Sequence, residues 1–215
     1  MLKSLFPQVT WDQIEAVGFD LDGTIYDELD FILQVYLPIA ILLANLSNQD
    51  QQEVYRWMVN RWLEKGSSYN RIFEEVLSSK GVDEGKKTIE RCLHIFKHFR
   101  PEISLTNRVK ILLDNFKSNY PLFLITDGSG LLQRAKFKAL GLGKWFEINN
   151  IAISGDYGRK YQKPSAFMAS QIEVLRDIKP SRVIYFGDRE VDALFSRNAG
   201  FGFIPVKVMQ VGVIS

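Results

Sequence analysis

The chain has 215 residues, 46% of them hydrophobic, which is enough for one sizeable core plus a smaller second unit. Its 27 lysines and arginines barely exceed its 25 acidic residues, so bulk charge gives no case for nucleic acid or an anionic membrane as a partner. The single cysteine, Cys92, has no partner for an internal disulfide and agrees with a reducing cytoplasm.

At the N-terminus, MLKSLFPQVTWDQ has neither a long apolar core nor a small-residue cleavage site, and no signal peptide is expected. Glu15 to Phe19 reads as a β-strand that stops where charge begins. The next stretch, GFDLDGTIYDE, crowds Asp20, Asp22 and Asp27 around a turn permitted by Gly23. In a continuing strand Asp20 and Asp22 would point to opposite faces, but at a strand end one side chain and a nearby backbone carbonyl can converge on one cation. Oxygen donors suit a hard ion such as magnesium, which keeps places for phosphate and water. A solvated acidic turn explains an isolated D-x-D equally well.

From Glu28 to about Phe99 the pattern is helical throughout, in segments led by FILQVYLPIAILLANL, QDQQEVYRWMVNRWLEKG, YNRIFEEVLSSKG and EGKKTIERCLHIFKHF, with Gly66 and Gly81 as stops. The apolar run Phe31 to Leu46 carries Gln34, Pro38 and Asn45 and falls short of a comfortable membrane span, so it reads as a packed helix. His94 and His98 share a helical face without a third ligand nearby, which suggests a polar face whose opposite side, Ile89, Leu93 and Phe96, packs inward. Tyr55, Trp57, Trp62 and Tyr69 read as packing residues. Arg56, Arg61 and Arg71 are candidates for holding a second anionic group of a substrate.

After Arg100-Pro101 the texture becomes strand, loop, helix, repeated. Thr106 opens RVKILLDNFK, and there follow PLFLIT, LLQRAKFKALG, IAISG, KPSAFMASQIEVLRD, RVIYFGD, VDALFSRNAG and FGFIPV. That alternation predicts a parallel sheet covered by helices, whose ligands bind beyond the carboxyl ends of the strands. Those ends are Asp20-Leu21-Asp22, Thr126-Asp127-Gly128, Gly155-Asp156 and Gly187-Asp188. Lys163 stands in a short loop before Pro164, which suits the first position of a helix; Lys160 is its rival as the site's cation. Together these groups describe a site that binds a metal through carboxylates and an anion through Thr126, Lys163 and loop amides.

The series D-L-D-G-T, I-T-D-G, K-P and G-D-R-E-V-D, in this order from Asp20 to Asp192, resembles the four motifs of the haloacid dehalogenase (HAD) superfamily. The helical insert behind the first motif resembles the cap of the subfamily that includes phosphoglycolate phosphatase, beta-phosphoglucomutase and N-acylneuraminate-9-phosphatase. The resemblance implies an α/β fold: a Rossmann-like parallel sheet core built from residues 1–27 and 100–215, with a helical cap domain of residues 28–99. It implies a Mg2+-dependent phosphomonoester hydrolase, acting on a small phosphorylated metabolite through an aspartyl-phosphate. Asp20 would be the nucleophile and Asp22 the general acid and base, with Thr126 binding a phosphoryl oxygen and Lys163 stabilising nucleophile and phosphoryl group. Magnesium would be held by Asp20, the backbone carbonyl of Asp22, and Asp188, while Asp192 would orient the metal shell through a water or Lys163. A sugar phosphomutase on the same scaffold is the alternative, and a non-catalytic protein binding a phosphorylated ligand a weaker one; a haloacid dehalogenase would not need Asp22. Two residues depart from the family pattern: Asp127, where many relatives carry asparagine, and Arg189, where a small or polar residue is frequent. No nucleic-acid or membrane partner is expected, and the expected location is cytoplasmic. The specific substrate and the oligomeric state are not legible.

Overall fold

A computed structural model of the chain describes residues 2–79 and 85–208. It divides into two compact units, Met1–Glu28 with Ile103–Ser215, and Leu29–Glu102. The helices, in chain order, are α1 (Leu2–Leu5), α2 (Glu28–Ser47), α3 (Gln51–Lys65), α4 (Ile72–Ser79), α5 (Gly85–His98), α6 (Asn107–Lys117), α7 (Gly130–Ala139) and α8 (Glu190–Ala199).

In the first unit the apolar runs become five parallel strands: β1 (Ala16–Phe19), β2 (Leu122–Thr126), β3 (Ile151–Ile153), β4 (Val183–Gly187) and β5 (Gly202–Pro205), ordered β3-β2-β1-β4-β5. Every residue of β1, β2 and β4 is buried, as strands covered on both faces must be. Pairing sets Val17 beside Leu122 and Ile184, and Phe19 beside Leu124 and Phe186, so the three strands end nearly level. The chain leaves β1 for β2 and β3 on one side and returns to β4 and β5 on the other, so the switch point of the sheet lies at β1.

Alternate strand residues build two different cores. On one face the rings of Phe6, Trp11, Phe19, Phe116 and Phe186 pack together, Phe19 and Phe186 stacked with centroids 5.1 Å apart. On the other, Ala16, Phe123, Ile125, Val183 and Tyr185 pack with Met168, Ile172 and Phe195. Thr106 caps α6 through its Oγ1, which accepts from the Val109 amide at 3.3 Å.

KPSAFMASQIEVLRD does not form the single helix its spacing suggests. It folds as two 3₁₀ turns, Ala166–Gln171 and Glu173–Leu175, with Ile172 extended between them and buried in the core. Local partners compete with the helical ladder: Ser165 Oγ accepts from the Phe167 amide, and Asn150 Oδ1 accepts from the Val174 amide at 2.9 Å. Pro164 therefore does not open a helix; it follows a cis peptide bond from Lys163 and precedes the capping Ser165.

The second unit holds α3, α4, α5 and nearly all of α2. Phe31, Ile32, Val35, Tyr36, Ile39, Ala40, Leu43 and Ala44 form one buried face of α2. By length and composition alone α2 is apolar enough to cross a membrane, a test that a buried core helix also passes. On α5 the inward face is set by Thr88 and Cys92, both buried, while Phe96 packs on Phe31 and Phe73. Leu93, expected inward, is 39% exposed, because four-residue spacing from Thr88 to Cys92 turns it toward solvent. His94 and His98 are exposed and stacked, and no third ligand joins them among the described residues.

Tyr55, Trp57, Trp62 and Tyr69 are all partly exposed instead of buried. Their polar tips explain two of them: the Tyr55 hydroxyl donates to Leu33 O at 2.9 Å, and that of Tyr69 bonds Glu75. Arg61 is bound bidentately by Glu75 and again by Glu64, Arg71 by Glu74, and Arg56 bonds Gln52. Each guanidinium thus has a partner within its own unit. Gly66 ends α3 as expected, at φ 78°, and Gly81 lies outside the described residues.

Candidate active site

The β1–β4 ladder continues one residue past β1, where the Asp20 amide donates to Phe186 O at 2.9 Å, and this fixes where the Asp20 side chain starts. Asp20 is fully buried. Lys163, from the loop after β3, reaches it with a side chain that is also fully buried. Its Nζ lies 2.6 Å from Asp20 Oδ1, 2.5 Å from Asp192 Oδ1 and 3.4 Å from the Tyr185 hydroxyl, so all three ammonium hydrogens have acceptors. Burial opposes the charge of Lys163, but Asp20, Tyr185 and Asp192 together hold its pKa well above the usual lysine value. Lys160 stays on the surface against the ring of Tyr161, which removes it as a rival.

Tyr185 was not singled out in the sequence. Its hydroxyl donates to Ile125 O at 2.7 Å and so presents a lone pair to Lys163 from beneath. The signal for it is a polar tip inside the otherwise apolar strand VIYFG.

Asp20, Asp188 and Asp192 each offer a carboxylate oxygen, all within 4.8 Å of one another. Burial pushes the Asp188 carboxyl up to about 6 against the pull of Arg189. Burial raises the Asp20 carboxyl too, with Lys163 opposing and Asp192 adding to the rise. Asp20 Oδ2 is buried and has no hydrogen-bond partner among the described residues. A buried carboxylate oxygen left unpaired, inside an acidic cluster, is what a divalent cation satisfies, so the donor set fits such an ion. Asp192 is the least available of the three: Oδ1 is held by Lys163, and Oδ2 accepts from the Arg189 amide at 3.1 Å as the cap of α8.

Two glycines make the close approach of these carboxylates possible. Gly23 has φ 76°, and a Cβ there would lie 2.4 Å from Asp188 Oδ2; at Gly187 it would lie 2.4 Å from the Cβ of Asp192. The Arg189 side chain lies against Asp192, at 3.9 Å. Burial works against its charge, but Asp20, Asp192 and Asp188 raise its pKa above the ordinary value.

Asp22 turns its side chain away from that cluster. Oδ1 takes the ammonium of Lys136 at 2.5 Å and bonds the Tyr26 hydroxyl, and Oδ2 accepts from Gln133 Nε2 at 2.7 Å. Burial would raise its pKa, yet the Lys136 charge and the bonds from Lys136, Tyr26 and Gln133 lower it, so Asp22 is held as the carboxylate. Gln133 Nε2 also lies 2.6 Å from Thr126 Oγ1, at the end of β2. Gln133, Lys136 and Tyr26 were missed: a Gln and a Lys three apart in LLQRAKFKALG look like a solvated helix face, but in the structure these two lie on the buried face of α7, and Tyr26 is buried in the turn after β1.

The remaining candidates fall nearby or outside. Asp127 Oδ1 accepts from the Lys163 amide at 3.2 Å and so anchors the lysine loop. Asp156 is bound bidentately by Arg134 at 2.8 and 3.0 Å, and Asp27 is exposed and outside the acidic cluster.

Residues 17–206 match the sequence profile described as haloacid dehalogenase-like hydrolase. The chain belongs to this family. Among curated HAD relatives, glyceraldehyde 3-phosphate phosphatase of Methanothermobacter thermautotrophicus is 26% identical over 199 residues, covering 90% of this chain and 85% of its own. N-acylneuraminate-9-phosphatase of Rattus norvegicus is also 26% identical, over 202 residues, covering 87% and 80%. Of solved structures, a HAD-superfamily hydrolase of subfamily IA from Geobacter sulfurreducens superposes with a TM-score of 0.66 at 20% identity, covering 90% of this chain and 87% of that one. The HAD hydrolase YfnB from Bacillus subtilis, bound to magnesium, gives 0.61 at 20% identity, covering 88% and 85%. These likenesses establish a HAD-like α/β fold, consistent with the five-stranded parallel sheet.

Proposed function

We propose that the chain is a magnesium-dependent phosphomonoesterase that hydrolyses a small phosphorylated metabolite in the cytoplasm through an aspartyl-phosphate on Asp20. The observation that carries this reading is the state of Asp20: one oxygen is fixed by Lys163 and the other is buried and unpaired. The curated relatives, named as phosphatases of phosphorylated metabolites, support the substrate class. Asp20 Oδ2, Asp188 and the backbone carbonyl of Asp22 would hold the ion, and YfnB's magnesium supports its identity. A bound divalent ion neutralises charge as the phosphoryl group meets a carboxylate.

In the first half of the reaction an Asp20 oxygen forms a bond to phosphorus, the bond to the substrate alcohol breaks, and Asp22 gives that oxygen a proton. In the second half Asp22, now a carboxylate, takes a proton from water as the water attacks phosphorus, releasing phosphate and restoring Asp20. Its bonds to Lys136 and Gln133 favour the carboxylate that the second half needs, so for the first half Asp22 must take up a proton from water before the alcohol departs. Thr126 donates to a phosphoryl oxygen, and Lys163 keeps Asp20 aligned. Asp192 acts through Lys163 and the cap of α8. The helical unit Leu29–Glu102 serves as the substrate-selecting cap.

Phosphate release from a panel of sugar phosphates, nucleotides and an aryl phosphate tests the reading. At least one member is hydrolysed with magnesium and none with a chelator. Turnover that ignores the chelator, or no turnover on any member, contradicts it. Conversion of a sugar 1-phosphate into its 6-phosphate would instead identify a mutase.

A further inference from the structure

We propose that Gln133, aided by Lys136, is a positioning residue that ties the proton-transferring carboxylate of Asp22 and the phosphate-binding hydroxyl of Thr126 to one rigid helix. This rests on the phosphatase reading for the roles of Asp22 and Thr126, but the geometry is independent of it. Gln133 is 2% exposed and Lys136 is 2% exposed, on the same face of α7. A primary amide has two N–H groups, and here they face three acceptors: Asp22 Oδ2 at 2.7 Å, Thr126 Oγ1 at 2.6 Å and Asp127 O at 3.0 Å. The reverse orientation would set the amide oxygen against the Asp22 carboxylate, so the contacts fix which end of the amide is which.

Two consequences follow for the reacting groups. Gln133 and Lys136 between them hold both oxygens of Asp22, so the carboxylate cannot turn without breaking a partly buried bond. Because Thr126 Oγ1 accepts from Gln133, the Thr126 proton must point elsewhere. Its protein acceptor is Asp127 O at 3.4 Å, the outer limit of a hydrogen bond, which leaves it directed for a better acceptor such as a phosphoryl oxygen. One helix thereby sets the distance between proton transfer and phosphate binding, and a site carried on a helix is held more tightly than one on loops.

The variant Gln133→Met keeps the length and removes the donor. The second-order constant kcat/KM covers steps only up to departure of the leaving group, so it separates proton donation from later hydrolysis. An alkyl phosphate such as glycerol 2-phosphate needs a proton on its leaving oxygen, whereas p-nitrophenyl phosphate does not. The expected result is that kcat/KM falls about 10²-fold for the alkyl ester and about tenfold less for the aryl ester. The inhibition constant of inorganic phosphate rises about tenfold as Thr126 is released. A purely structural role lowers both esters equally and leaves the phosphate constant unchanged, and that result overturns the proposal. If the variant does not fold, Gln133→Asn, which withdraws the amide by one methylene, gives the same readout. If the wild-type protein hydrolyses neither ester nor any member of the panel above, the phosphatase reading fails; whenever these two esters are inert, the crystal structure of Gln133→Met decides this one: rotated Asp22 and Thr126 side chains support it, and unmoved ones overturn it.

Discussion

Asp20→Asn lowers phosphate release at least about 10⁴-fold while the protein stays folded. The amide is nearly isosteric with the carboxylate, so the aromatic packing of the neighbouring Phe19 and the backbone bond to Phe186 are untouched. Lys163 keeps Asp192 and Tyr185 as partners, so no buried ammonium is stranded. The anionic oxygen is lost, and with it both the attack on phosphorus and one of the oxygens offered to the cation. Because every later step passes through the acyl phosphate on Asp20, no other carboxylate of the site replaces it. Phosphate release and the urea midpoint, measured on the same preparation, check the two halves of this expectation. A variant that retains a tenth of the wild-type rate would remove Asp20 from the mechanism.

Lys163→Met has the largest expected effect on stability, a loss of about 3–5 kcal/mol in the presence of a chelator. Lys163 is the ammonium that Asp20 and Asp192 share, and the three side chains are at most 1% exposed. Methionine fills a similar volume, so the loss does not come from a cavity. It comes from leaving two carboxylates buried with the cation gone, and Asp188 within the same cluster adds to the repulsion. Activity disappears as well, since Asp20 then has nothing to align it. Urea unfolding of wild type and variant measures the difference, and a loss below about 1 kcal/mol would mean that Lys163 contributes little to holding the cluster.

Much of this arrangement was legible because parallel sheets advertise their active ends. Asp20, Thr126 and Asp188 could be found as the first polar residues after the apolar runs VGF, LFLI and VIYFG, since a strand buried on both faces must stop where it meets water or a ligand. Lys163 was legible only through the motif resemblance and the proline after it, and the reason given for Pro164, a helix start, does not hold: side chains of Ser165 and Asn150 satisfy the backbone locally and the segment becomes 3₁₀ turns. What stayed hidden was the support behind the strand ends. Gln133 and Lys136 occupy helix positions that periodicity assigns equally well to solvent, and only the fold decides that this face of α7 meets Asp22. Likewise the arginines of the helical unit look free in the sequence, but Glu64, Glu74 and Glu75 lie close enough on α3 and α4 to engage Arg61 and Arg71.

The central claim is that Asp20 becomes covalently phosphorylated. Acid quenching of the protein during turnover of p-nitrophenyl phosphate with magnesium, followed by proteolysis and mass analysis, tests it most directly. The account predicts a phosphoryl group on the peptide carrying Asp20, absent in the Asp20→Asn variant and absent with chelator. A phosphoryl group on another residue, or turnover with no phosphorylated peptide under conditions that preserve acyl phosphates, would contradict it.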